Sequence, residues 1–404
     1  MAPRPKTTSK RAGEYVRQPQ GFYAFVPGEL PPEPPVEFDR SMVNLLSRAD
    51  RAIGRLDGEI RNVPDPGFFV AMYVRREAVL SSQIEGTQST LEDLLVVELE
   101  PRIADFSRDV DEIVNYVAAM NYGLDRLGTL PLSLRLIREL HAQLLRGVRG
   151  ENRLRGEFRR DQNYIAPAGV RRIEEATFIP PPVPQMRLAL DNLEGFLHEP
   201  GDLPPLLHVG IAHAQFETIH PFMDGNGRVG RLLITFLLMH GGVLHRPLLY
   251  LSLFLKRHRS EYYDWLMAVR HDGDWEGWLR FFIRGVAETA EEATLKGRAI
   301  VALREQQRVA IQEVGLPMNA FRLLDLIYAR PFIHVSLVRD QLGISFATAS
   351  NLVYQLEQLG FLMEVTGRKR DRIFRFAPYL RLFEEDEDAP LATDEVEETE
   401  PAAV

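Results

Sequence analysis

The sequence predicts a mainly α-helical protein with little β structure, on three observations. Apolar residues recur at steps of three and four along most of the chain, the period of a helix with one buried face. Glycine and proline mostly fall at the ends of those stretches, where helices stop. Strand signals are confined to two short places, residues 170–179 and 361–376.

Residues 1–38 carry Pro27, Pro31, Pro32, Pro34 and Pro35 and read as a flexible, extended arm. From Asp39 onward, Met42, Leu45, Leu46, Ala49, Ile53, Leu56 and Ile60 line one helix face, ended by Pro64-Asp65-Pro66. A second helix spans Phe68 to Glu85 and stops at Gly86, a residue that tolerates the left-handed position after a helix. Thr90 followed by Asp93 reads as a capping box for a helix from Leu91 to Glu98. Two more helices follow, Asp109 to Leu127 and Leu132 to Arg146. The period then fails over 150–182, which reads as loop and a short hairpin closed by Pro180-Pro181-Pro182.

Helices resume at Gln185–His198, at Pro204–Ile219 and after Gly225-Asn226-Gly227, then at Leu253–Arg270 and from Trp275 to about Val314. After Gly315 come helices at Asn319–Ala329, Val335–Leu342 and Ser345–Leu359, then two short strands, Phe361–Val365 and Arg372–Phe376, around a turn. Three helices followed by a β-hairpin is the winged-helix arrangement. The expected organisation is an arm (1–38), an N-terminal helical region (39–110), a catalytic core (111–285), a connector helix (286–315), a winged helix (316–383) and an acidic disordered tail (384–404).

The 404 residues include no cysteine, which excludes disulfides, thiolate metal sites and a cysteine nucleophile. The formal charge of −9 belongs to the tail: residues 384–404 hold ten acids and no base, and the rest of the chain has 48 basic against 47 acidic residues. Charge therefore does not select a partner. No apolar run approaches the roughly 20 residues of a membrane span, and the basic, polar start lacks a signal-peptide core, so a cytoplasmic protein is expected.

One stretch concentrates chemistry: His220-Pro221-Phe222-Met223-Asp224-Gly225-Asn226-Gly227-Arg228-Val229-Gly230-Arg231. Its glycine turn opens an apolar helix, whose free N–H groups and partial positive charge attract anions. Arg228 and Arg231 lie three apart on the first turn, so both can reach one polyphosphate. Asp224 just ahead of the turn suits a hard cation such as Mg²⁺. His220 is the nearby base expected to be half-neutral at physiological pH. Each feature alone has a plainer reading: a capping histidine, a turn, a solvated basic face. His208, His213 and His220, spaced by five and seven, do not form a metal-hydrolase pair, and the first two read as core or surface histidines.

Taken together, the twelve residues match every fixed position of the His-Pro-Phe-x-Asp-Gly-Asn-Gly-Arg-x-x-Arg signature, and the chain resembles the Fic (filamentation induced by cAMP) family over roughly residues 75–285. Gly156-Glu157-Phe158-Arg159, Phe178-Ile179-Pro180-Pro181-Pro182 and Tyr262-Tyr263 extend the resemblance. It implies a Fic-type helical bundle with a β-hairpin flap, and a protein adenylyltransferase moving AMP from ATP to a Ser, Thr or Tyr hydroxyl. Under it His220 is the base, Asp224 holds Mg²⁺, Gly225, Asn226 and Gly227 form the anion hole, and Arg228 and Arg231 hold the β- and γ-phosphates. Phe222 is a core anchor, and Tyr262 and Tyr263 are candidates for the adenine pocket. Arg270 stands where some relatives carry asparagine.

Ser81-Ser82-Gln83-Ile84-Glu85-Gly86 resembles the family's inhibitory motif, carried by Ser81, Glu85 and Gly86. Glu85 is expected to pair with Arg231 and deny it to the γ-phosphate; in some relatives this glutamate also serves AMP removal. A homodimer is implied by the resemblance. The alternative is a DNA-binding transcriptional regulator using the Fic domain as a nucleotide sensor. For it, residues 317–383 hold nine bases and five acids, with Arg368, Lys369, Arg370 and Arg372 at the hairpin tip. The expected recognition helix, however, holds Ser345, Thr348, Ser350, Asn351 and Gln355 and no Lys or Arg.

Overall fold

The computed structural model describes residues 9–61, 66–100, 108–148, 150–167, 169–170, 172–199, 201–368 and 370–384. The start of the arm, Lys369 and the tail beyond 384 lie outside the described residues. Contacts divide the chain into two compact units, Met1–Arg298 and Ala299–Val404.

The first unit opens with a hairpin, not an extended arm. Strands β1 (Gly13–Arg17) and β2 (Tyr23–Pro27) pair antiparallel, from Gly13 opposite Pro27 to Arg17 opposite Tyr23. Proline content hid a strand of alternating large residues: Phe25 is fully buried between Tyr15 and Phe178, with ring centroids at 5.1 and 5.8 Å. Beyond the hairpin, Asn192 exchanges two hydrogen bonds with the backbone of Leu30, and Arg11 makes a forked ion pair with Glu276.

Helix α1 (Arg40–Arg61) buries Met42, Leu46, Ala49, Ile53 and Leu56, the stripe its period predicts. Helix α2 (Pro66–Ile84) follows, then α3 (Leu91–Leu99), where Thr90 and Asp93 form both halves of the capping box. Helices α4 (Arg108–Leu127) and α5 (Leu134–Leu144, capped by Ser133) pack side by side, as do α6 (Val183–His198) and α7 (Pro205–Ile219). Helix α7 is buried on every side from Leu206 to Ile219 apart from the half-buried His208, and α8 (Asn226–His240) packs along it at the centre of the unit.

The single helix expected over 253–270 is two: α9 (Ser252–Arg257) and α10 (Arg259–Asp272). Residues 252–255 are buried while Arg259 and Ser260 are exposed, so the chain leaves the core at His258. Helix α11 (Trp275–Glu313) is long, and the division between units falls within it. Among the described residues the expected flap hairpin reduces to one bridge, Ile165 opposite Phe178, and a 3-10 turn at Ile173–Glu175. The three prolines after Ile179 have no N–H to extend a ladder.

In the second unit, α12 (Met318–Ala329), β3 (Phe332–His334), α13 (Val335–Leu342) and α14 (Phe346–Gln358) precede β4 (Met363–Glu364), β5 (Ile373–Arg375) and α15 (Ala377–Glu384). The antiparallel sheet has the order β3-β5-β4. Strand β3 and helix α15 are additions to the expected elements, and Glu384 belongs to α15, paired with Arg375, rather than to a tail. No helix among the described residues is long and apolar enough to cross a membrane.

Candidate active site

The signature stretch is a turn locked between two buried helices. Helix α7 ends at His220, whose φ of +48° is left-handed, a strained state for a side chain with a Cβ. Three donors hold the exit: Arg159 Nε and Asn163 Nδ2 each reach the His220 carbonyl at 3.1 Å, and Arg159 N–H reaches the Pro221 carbonyl at 2.9 Å. Asn163 also donates to the Phe222 carbonyl at 2.8 Å. Phe222 is fully buried and stacks on His141, centroids 3.8 Å apart. Because the Gly156 N–H donates to His141 Nδ1 (2.9 Å), the ring proton sits on Nε2 and donates to the Asp224 carbonyl at 3.1 Å. Asn226 closes the turn with its side chain, accepting from Phe222 N–H and donating to Phe222 O, both at 2.8 Å.

This leaves the backbone to face an anion. The first intrahelical bond of α8 runs from Val229 N–H to Gly225 O at 3.1 Å, so the N–H groups of Asn226, Gly227 and Arg228 precede the ladder. Asn226 was expected as an anion-hole residue; its amide is spent on the turn, and only its N–H can serve that role. Gly225 has φ +79°, which glycine adopts without strain.

Glu85 and Arg231 do meet. Arg231 Nη2 donates to Glu85 Oε1 at 2.7 Å and to the Ser81 carbonyl at 2.9 Å, while Nε donates to Ser81 Oγ at 2.7 Å. A Cβ on Gly227 would sit 2.2 Å from Glu85 Oε1, so the carboxylate reaches Arg231 across a bare backbone. Arg231 is 2% exposed and Glu85 40%, so the arginine is buried and the acid faces the cleft. Burial alone would raise the Glu85 carboxyl; the Arg231 charge and hydrogen bond overcome it and hold the group below the usual range. Arg228, 5% exposed, is paired as well, through Nη1 to Glu112 Oε2 at 2.8 Å.

Residues 43–125 match the Fic/DOC family N-terminal profile, and residues 131–238 match the Fic/DOC family profile. Across these regions the chain is similar to the Fic/DOC family. Protein adenylyltransferase Fic of Drosophila grimshawi is 30% identical over 262 residues, 63% of this chain and 48% of its own length; that of Drosophila melanogaster is likewise 30% identical, over 63% and 47%. The chain thus spans about half the length of these relatives. A Fic family protein from Desulfovibrio desulfuricans G20 superposes with a TM-score of 0.54 at 19% identity, covering 85% of this chain and 97% of that one, a likeness of fold.

Around the Fic signature, some expected residues stand elsewhere. Tyr262 is 1% exposed and its hydroxyl donates to His213 Nε2 at 2.9 Å, so it is core and not a pocket wall. His213 Nδ1 in turn donates to the Gly230 carbonyl at 3.0 Å, and His208 bonds the Phe196 carbonyl, so both are structural. Tyr263 is 38% exposed with the Arg259 guanidinium 5.4 Å from its ring, which leaves it the only ring of the pair able to meet a ligand. Arg270 caps α7, donating to Thr218 Oγ1 (3.2 Å) and the Glu217 carbonyl (3.1 Å), and lies 4.0 Å over Phe178 at the base of the flap.

His220 is not half-protonated near neutrality. Burial, then the charges of Arg270 and Arg159, push its pKa down to about 3, with Glu85 acting the other way. Among the described residues its Nδ1 is buried without a hydrogen-bond partner. Glu85, Gly86, Thr87, Asp109, Glu112, Asp224, Gly225 and Arg228 line one open cleft of about 440 Å³. Among the described residues no group of three or more His, Asp or Glu could hold a metal. Asp224, its Oδ1 3.7 Å from Arg228 Nη2, is one of four carboxylates on the cleft wall.

Proposed function

We propose that the chain transfers AMP from ATP to a Ser, Thr or Tyr hydroxyl of a target protein, and that the Glu85–Arg231 contact holds it inactive. The relatives named protein adenylyltransferase Fic support the reaction class. The observation that carries the reading is a neutral His220 beside an intact phosphate-binding helix start whose second arginine is taken by Glu85.

Neutral His220 takes the proton of the target hydroxyl as its oxygen attacks the α-phosphorus. The new O–P bond forms as the bond from the α-phosphorus to the bridging oxygen breaks, and pyrophosphate leaves with that electron pair. The N–H groups at the start of α8 receive phosphate oxygens, and Arg228 and Arg231 hold the β- and γ-phosphates once freed. Asp224 would hold a Mg²⁺, which would supply charge neutralisation on the phosphate oxygens. Tyr263 is the proposed contact for the base, and a cytoplasm rich in ATP the proposed setting. The DNA-regulator reading is not favoured, because a sensor needs no base at position 220.

Incubating the full chain with labelled ATP and lysate tests this. Glu85→Gly is expected to raise labelling by at least tenfold, the worth of roughly one charge-assisted hydrogen bond restored to the nucleotide. Adding His220→Ala is expected to abolish it. A Glu85→Gly chain that labels nothing would sink the reading.

A further inference from the structure

The phosphate-binding turn offers two arginines, and both are taken. Arg231 meets Glu85 from the end of α2; Arg228 meets Glu112 from α4, at 2.7 and 2.8 Å. We propose that inhibition is applied by two carboxylates, with Glu112 withholding Arg228 from a bound polyphosphate as Glu85 withholds Arg231. This rests on the reading of the cleft as a triphosphate site.

The Arg228 pair is the more enclosed of the two. Arg228 is 5% exposed with Glu112 at 16%, so the pair is nearly out of water, whereas Glu85 remains 40% exposed. Among the described residues the Arg228 Nε is buried with no partner, Nη2 stands 3.7 Å from Asp224 Oδ1, and Nη1 is held by Glu112. A guanidinium gives its strongest contact through two parallel N–H groups. With Nη1 engaged, Arg228 cannot offer its end-on Nη1/Nη2 fork to a phosphate until Glu112 withdraws, and its other edge includes the buried Nε. The cleft wall adds a second obstacle: Glu85, Asp109, Glu112 and Asp224 face it together, against Arg228. Four carboxylates around an incoming polyanion oppose its entry.

The two acids also belong to one mechanical piece. Helices α2 and α4 pack on each other, and the Tyr116 hydroxyl of α4 donates to the buried Glu77 of α2 at 3.2 Å. Glu77, Ser81 and Glu85 follow at steps of four, so they lie along one face of α2 and its C-terminal extension. A displacement of α2 and α4 as a pair therefore releases Arg228 and Arg231 together. Removing Glu85 alone leaves Arg228 bound.

The opposite role for Glu112, orienting Arg228 for its ligand, predicts the opposite sign, so one experiment separates them. The full chain, Glu85→Gly, and Glu85→Gly with Glu112→Gln are titrated with inorganic triphosphate and with ATP plus Mg²⁺ by calorimetry. The double variant is expected to bind inorganic triphosphate roughly tenfold tighter than Glu85→Gly, about the worth of one additional charge-assisted hydrogen bond. Adding Arg228→Met is expected to erase that increase. Equal or weaker binding by the double variant overturns the proposal. Should Glu112→Gln fail to fold, Glu112→Asp draws the carboxylate back by one methylene and must still tighten binding. If Glu85→Gly itself binds neither probe, the triphosphate reading has failed; if it binds and Glu112→Gln adds nothing, only the second carboxylate has.

Discussion

His220 combines a strained backbone with a neutral ring, and both follow from what surrounds it. A left-handed non-glycine residue costs on the order of 1–3 kcal/mol, and the donors on its carbonyl from Arg159 and Asn163 fix it there. Replacing Asn163 with Ala removes donors from two carbonyls and is expected to lower stability by about 1–3 kcal/mol, read by chemical denaturation. The ring's proton affinity is lowered to about 3 from 6.5, so the native state refuses a proton that the unfolded chain accepts below 6.5. Stability tied to His220 is thus complete above 6.5 and declines as pH falls towards 3. As the proposed base, His220 works in its neutral form. The rate of transfer by Glu85→Gly, measured between pH 5 and 8, is expected to show no acid limb near 6.5. Removing Glu85 takes away a charge that raised the pKa, which moves any limb further down. A half-maximal rate near pH 6.5 would mean that the ring is solvated.

At the scale of elements, the N-terminal hairpin is the part whose role the composition concealed. The Phe25 N–H of β2 donates to the Ile179 carbonyl at 2.9 Å, and its ring packs on Phe178, on which Arg270 also lies. The hairpin and α10 therefore grip the flap's base from two sides. Phe25→Ala is expected to cost about 3–5 kcal/mol by denaturant unfolding, and to reduce labelling of a target more than binding of ATP. Most helices were legible because each carries its own period, and α3 even announced its cap; the break between α9 and α10 and the short α15 were not. The twelve-residue signature was legible because its chemistry is contiguous in sequence. What was hidden is set by distant packing: Glu112 lies 116 residues from Arg228, Asn163 57 from His220. A single exposed-looking acid in an amphipathic helix has no local mark of a buried partner. Tyr262 failed for the same reason, since only the position of His213 decides that its hydroxyl points inward.

For the molecule as a whole, the second unit bears on whether nucleic acid is an open partner. The expected recognition helix, α14, exposes Phe346 (53%) and Tyr354 (57%) along with Ala347, Thr348, Asn351 and Gln358, and no Lys or Arg. The cations nearest one another in the second unit's sequence, Arg368, Lys369, Arg370 and Arg372, fall between β4 and β5 in chain order. If these are the only phosphate contacts, binding to random duplex DNA follows from counterion release alone. The logarithm of affinity is then expected to fall against the logarithm of salt with a slope no steeper than about −4. The nine acids of residues 385–404 add negative charge that opposes association with a polyanion, so a chain ending at Glu384 is expected to bind somewhat more tightly with the same slope. Changing the DNA sequence should alter neither number. A steeper slope, or a preference of roughly a thousandfold for one sequence, would show instead that α14 reads base edges despite its neutral face.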